Sequence, residues 1–144
     1  MINTQLQLTQ VFCNNYVAQF RSQVAHVNVT GRNFHSDHEL LGEVYGHLQD
    51  NIDVLAELLR TVGGFMPKTL DQIIGQSTII DDPVEAPADN MLTTVHNNLV
   101  QLVASYQELA EVASDDDAEE IENYAQEEIL VLNKYIWMLD STLS

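Results

Sequence analysis

The stretch His26–Gly64, HVNVTGRNFHSDHELLGEVYGHLQDNIDVLAELLRTVGG, decides how this chain folds. Ser36 followed by Glu39 has the spacing of a capping box, in which each side chain satisfies the other residue's free backbone N–H. That spacing predicts a helix beginning close to Ser36. Its apolar stripe runs Leu41, Val44, Leu48, Ile52, Leu55 and Leu59 in steps of three and four, and Gly63-Gly64 supplies a stop. The result is a helix of roughly seven turns.

Four residues of the stretch carry chemistry. Asp53 and Glu57, four apart, share one helix face and can grip one cation together. His38 lies on the same helix, about 22 Å from Asp53 along the axis at 1.5 Å per residue. No single ion spans that distance. If His38, with His26 before it, serves the same metal as the two carboxylates, the ligands must come from two copies of the chain. Those copies would pack antiparallel across a two-fold axis, so the site would be shared between subunits.

Working outward, residues 4–30 place Leu8, Phe12, Tyr16, Phe20, Val24 and Val27 at spacings of three and four, one amphipathic helix ended by Thr30-Gly31. The connector Arg32 to His35 is so short that the two long helices must lie antiparallel. After Phe65-Met66-Pro67, Thr69 with Gln72 forms a second capping box and predicts a helix of about two turns over 69–75. Residues 77–88 read as a loop, with Asp81-Asp82-Pro83 and Pro87.

A third long helix is expected over 89–113, with Leu92, Val95, Leu99, Leu102, Tyr106, Leu109 and Ala113 inward. Ser114 to Asp117 reads as the next helix start, where acidic side chains suit the positive end of the helix dipole. The last helix runs to about Leu143, with Ile121, Tyr124, Leu132, Ile136 and Leu139 inward. The expected architecture is all-α, one domain over 1–144. It is a ferritin-like four-helix bundle with a short helix in the long crossover between the second and third long helices.

Composition narrows the function. Twenty-two acidic residues face five basic ones, for a formal net charge of −17. Such a surface repels nucleic-acid phosphates and anionic membranes and attracts cations, or serves solubility alone. No apolar run approaches the length of a bilayer span, and the N-terminus shows no charged-then-apolar leader, so a cytoplasmic protein is expected. Cys13 is the only cysteine, which rules out an intrachain disulfide; beside Phe12 it reads as a small buried hydrophobe.

At this point the residues resemble a known family. His26-x4-Gly31-x2-Phe34-x3-His38, then Asp53-x3-Glu57-x5-Gly63-Gly64, is similar to the signature of Dps proteins, the twelve-subunit mini-ferritins. Lys134-x2-Trp137-Met138-Leu139 and the short crossover helix match too, so the resemblance covers essentially the whole chain. It implies a hollow dodecamer built from two-fold dimers. It also implies a ferroxidase that oxidises Fe(II) preferentially with hydrogen peroxide, stores the ferric product inside and so protects against oxidative stress. Carried over by position, His26 and His38 come from one subunit and Asp53 and Glu57 from its two-fold mate.

Imidazole and carboxylate ligands suit Fe(II), and the anionic oxygens stabilise Fe(III) once it forms. The histidines must be neutral to ligate, so binding should weaken in acid. Two departures stand out. Val27 occupies the place where the family usually has Trp, which removes an aromatic that could take up oxidising equivalents. Gly42 occupies the place of a carboxylate, so a second iron position needs water, Asp37 or Glu39 instead.

The family often has a Lys-rich tail that binds DNA, but 1–6 and 140–144 contain no basic residue, and no direct nucleic acid binding is expected. In Dps-like shells the start of the last helix lines the three-fold pores, which makes Asp116, Asp117 and Glu120 the pore candidates. Trp137 and Tyr135 read as packing or interface residues; His35, His47 and His96 read as surface or interface residues. Two rivals remain: a metal-storing shell with weak or no ferroxidase activity, and an acidic four-helix adaptor for a basic partner.

Overall fold

The structure is a computed structural model describing all 144 residues. Five helices follow one another: α1 (Ile2–Asn28), α2 (Phe34–Thr61), α3 (Leu70–Gln76), α4 (Ala88–Asp115) and α5 (Glu119–Leu143). There are no strands. The four long helices form the bundle, with α1 packed on α2 and α4, and α4 on α5. The crossover carries α3 against α1, the short helix expected within the long connection.

The core is apolar and close to the expected pattern. All seven residues expected inward on α4, from Leu92 to Ala113, are buried, as are Leu41, Val44, Leu48, Leu55 and Leu59 on α2. Each such leucine contributes about 1.5–3 kcal/mol by leaving water. Cys13 is fully buried, and burial pushes its thiol up to about 11, so it is an inert packing group.

The first helix departs from its expected stripe. Leu8 and Phe12 are buried, but Phe20 is 51% exposed and Val27 64% exposed, while Val11, Ala18, Ser22 and Ala25 take the inner positions. Steps of four residues advance about 40° more than a full turn, so a stripe drawn through 8, 12, 16 and 20 walks off the core face. The helix also ends at Asn28, before Thr30-Gly31; Val29 is extended and its N–H donates to the Ala25 carbonyl.

Two helix starts also differ from expectation. At the head of α2, Asn33 is the N-cap and helical structure begins at Phe34, so Ser36 already lies inside the first turn. The Ser36 hydroxyl donates back to the Asn33 carbonyl, and Glu39 pairs with His35 at 3.1 Å, so the capping box does not form. At Thr69 the cap does form: the Thr69 hydroxyl accepts from the Gln72 N–H, while the Gln72 side chain accepts from the Lys68 N–H.

The acidic run after Ala113 closes α4 rather than opening α5. Asp117 takes the left-handed φ of 58°, its N–H donates to Ser114, and the Ala118 N–H donates to Ala113 at 2.8 Å. This is a Schellman ending with aspartate in the position usually held by glycine. The same motif ends α2, where Gly63 has φ 87° and the Gly64 N–H donates to Leu59. The dipole argument applies instead to Glu119, Glu120 and Glu122 in the first turn of α5.

Candidate metal centre

His26 sits in the last turn of α1 and His38 in the second turn of α2, and the short connector folds one ring onto the other. Their centroids are 4.0 Å apart with planes 13° from parallel. The Nδ1 of His26 is 2.8 Å from the His38 carbonyl, and the Nδ1 of His38 is 2.7 Å from the His26 carbonyl. A carbonyl only accepts, so each Nδ1 donates, and in the neutral tautomer that does so the lone pair lies on Nε2. The His26 carbonyl is one of those left without an intrahelical partner at the end of α1, so the arrangement also caps that helix.

The two histidines belong to a column of rings. Phe34 stacks on His38 at 5.1 Å, and Tyr45 lies 6.0 Å from His26 with planes 20° from parallel. Val27 is exposed on α1, yet aromatic rings flank the pair on both sides, so the site is not without an aromatic neighbour. Tyr45 is seven residues after His38, two turns along the same helix face, a spacing that the sequence displays.

Asp53 and Glu57 are both exposed on α2. Within one chain no three His, Cys, Asp or Glu side chains converge on a common point. The structure thus brings His26 to His38, keeps Asp53 and Glu57 on one face, and leaves the two pairs apart.

The two acids expected to compensate for Gly42 differ in setting. Glu39 is engaged with His35. Asp37 is only 4% exposed, and burial, reinforced by the charge of Asp89, holds its carboxyl above the usual range. The pore candidates separate too. Asp116 accepts from the Thr4 N–H at 3.1 Å and the Thr4 hydroxyl at 2.6 Å, so it caps α1 from across the bundle. Those hydrogen bonds hold its carboxyl below the usual range. Asp117 sits in the turn, and Glu120 is exposed on α5.

A second polar cluster was not legible in advance. Glu128 is 7% exposed and its Oε2 accepts from Asn51 at 2.7 Å and lies 2.8 Å from the His47 Nε2. This clasp bridges α2 and α5. His47 is therefore an internal bridge rather than a surface residue, and Tyr135 packs against it with ring centroids 5.8 Å apart. The available signal was a glutamate on the α5 stripe between Ala125 and Leu132. His96 pairs with Asp140 at 2.9 Å, and Trp137 is 63% exposed on the single chain.

Two antiparallel helical hairpins, a short helix in the crossover and a His/carboxylate set on the first two helices define a class. The ferritin-like domain family matches residues 3–144, and the chain belongs to it. Within that family the chain belongs to the Dps proteins. It is 30% identical over 142 residues to a DNA protection during starvation protein from Brevibacillus brevis, covering 95% of both chains. The crystal structure of a Dps protein from Bacillus brevis superposes with TM-score 0.92 at 28% identity, over 98% of this chain and 95% of that one. Dps from Staphylococcus aureus superposes with TM-score 0.94 at 25% identity, over 100% of this chain and 97% of that one.

Proposed function

We propose that this chain assembles into a dodecameric mini-ferritin shell that oxidises Fe(II) with hydrogen peroxide at sites shared by two-fold-related subunits and stores the ferric product. The observation that carries this reading is the locked His26–His38 pair. Both Nδ1 atoms are held by carbonyls, which leaves the Nε2 atoms for a metal, while the Asp53 and Glu57 pair lies too far along α2 to reach them within one chain. A partner packed antiparallel on α2 completes the set with two nitrogens and two carboxylates.

Iron is the substrate. Two Fe(II) ions give one electron each to one peroxide, whose O–O bond breaks; with two protons the products are two Fe(III) and two waters. His26 and His38 hold Fe(II) without thiolates, and Asp53 and Glu57 favour the ferric state by their charge. With Asp37 buried and Glu39 in contact with His35, each site holds one ion firmly, and the second electron comes from a second ferrous ion held by water. That observation also favours the slower variant of the reading, a shell that stores iron and oxidises it weakly.

Protection by this protein acts through iron rather than DNA contact. The formal charge of −17 per chain opposes approach to phosphates at any face that a shell exposes. A gel shift that appears at low salt and vanishes at high salt would overturn this point.

The test is anaerobic loading of size-checked protein with Fe(II), one addition of hydrogen peroxide, and the ferric absorbance followed in time beside a His38→Ala/Asp53→Ala variant. Fast oxidation in a dodecamer-sized particle, lost in the variant, supports the proposal. Oxidation no faster than in buffer leaves a storage shell, and a monomer or simple dimer favours an acidic adaptor.

A further inference from the structure

We infer that Gly42 is a positioning residue for His26, and that restoring a side chain at this position disables the site rather than completing it. The inference rests on the reading of His26 as a ligand. His38, Gly42 and Tyr45 stand at i, i+4 and i+7 on α2 and so share one face of the helix. The His26 ring lies in the slot they make, with the His38 ring on one side at 4.0 Å and the Tyr45 ring on the other at 6.0 Å. Its edge rests on Gly42. A Cβ built at Gly42 would lie 2.7 Å from the His26 Cε1, closer than a Cβ approaches in real structures, and a tight 3.0 Å from its Nδ1.

The ring has no easy retreat. It donates from Nδ1 to the His38 carbonyl at 2.8 Å, and that carbonyl belongs to the residue one helical turn before Gly42. Any group that reaches this carbonyl from outside α2 must pass beside residue 42. Rings on both faces block sliding along the helix axis, so relief requires the ring to lift off α2. Lifting breaks the Nδ1 bond and releases the tautomer and aim of Nε2. A glycine inside a helix is destabilising in itself, because it loses more backbone freedom than alanine and buries nothing. Gly46, one turn further on, has open space around its own notional Cβ, so the constraint is specific to position 42.

The consequence is an exchange of ligand types. An aspartate at 42 would add an oxygen donor but displace a nitrogen donor already in place. The site is therefore built around a flush histidine and one firmly held ion, not around a missing carboxylate.

The experiment uses the assembled protein and three variants, Gly42→Ala, Gly42→Asp and Gly46→Ala, in two measurements. Crystal structures of the metal-free shells should show the His26 ring displaced from the His38 carbonyl in both position-42 variants and unmoved in Gly46→Ala. Anaerobic titration with Co(II), followed by its visible absorption, should show affinity falling at least about tenfold for Gly42→Ala, with Gly42→Asp no tighter than wild type. An unmoved ring in Gly42→Ala, or a Gly42→Asp shell that binds Co(II) more tightly with His26 in place, overturns the inference. A wild-type shell that binds no Co(II) refutes the metal-site reading, while the metal-free structures still decide whether Gly42 positions His26.

Discussion

His26 and His38 hold each other by a reciprocal pair of hydrogen bonds, Nδ1 of each to the carbonyl of the other, at 2.8 and 2.7 Å. In the proposed site each ring is a ligand, and the backbone carbonyl of each residue anchors the ring of the other. Replacing either side chain by alanine removes one proposed ligand nitrogen and the ring stacked on its neighbour, but leaves the backbone carbonyl that anchors the remaining ring. His26→Ala and His38→Ala are therefore expected to lower Co(II) affinity by more than tenfold each, and the double variant should lose clearly more than either single one, because the remaining ring stays anchored in each single variant. Titrations of the three shells measure the coupling. A double variant no weaker than either single one would contradict this and mean that neither ring binds without the other.

The Glu128 clasp makes a separate prediction about stability. Glu128→Ala leaves the half-buried His47 and buried Asn51 without their shared acceptor, a loss of about 1–3 kcal/mol. Glu128→Gln keeps one acceptor oxygen and should recover part of it. Denaturant unfolding reads the difference, and Co(II) binding should be unchanged in both variants because the clasp touches none of the four proposed ligands.

Asp37 should oppose folding at neutral pH. Its folded-state carboxyl titrates above the usual range, first because it is buried and second because Asp89 faces it. Above that raised value the fold carries a charge it disfavours, and stability is recovered as pH falls through it toward the unfolded carboxylate range. Asp37→Asn is expected to raise the melting temperature at neutral pH, with the gain vanishing in acid. Melting curves of both proteins across that range test the sign.

Asp116 should behave in the opposite way. The Thr4 hydroxyl, followed by the Thr4 N–H, holds its carboxyl below the usual range, so its contribution is present above the unfolded carboxylate value and is lost as pH falls through the folded one. Asp116→Asn should lower the melting temperature at neutral pH and make no difference in strong acid. Its effect on iron entry should be smaller than that of Asp117→Asn with Glu120→Gln, whose side chains have no such partner.

The bundle was legible because its apolar stripes on α2 and α4 follow true helical spacing, and because paired glycines and a threonine cap mark real ends. What misled were local signals outweighed by tertiary ones. Ser36 and Glu39 have capping-box spacing, but Asn33 starts the helix earlier. Asp115 to Asp117 look like a helix start, yet Asp116 is drawn to the exposed amides of α1 from the far side of the chain. The four proposed ligands stood out by spacing along the chain. The roles of Gly42, Tyr45 and Glu128 did not, because each depends on a neighbour from another helix or on a ring lying above it.

The central claim is that one metal site takes its histidines from one chain and its carboxylates from another. Two variants test it most directly: one carrying His26→Ala/His38→Ala, the other Asp53→Ala/Glu57→Ala. Each shell alone should bind no Co(II) at this site. After equal mixing, dissociation and reassembly, half of the two-fold pairs are mixed and each mixed pair regains one of its two sites, so about one quarter of the wild-type capacity should return. Mixed shells that bind no more than either parent would contradict the account.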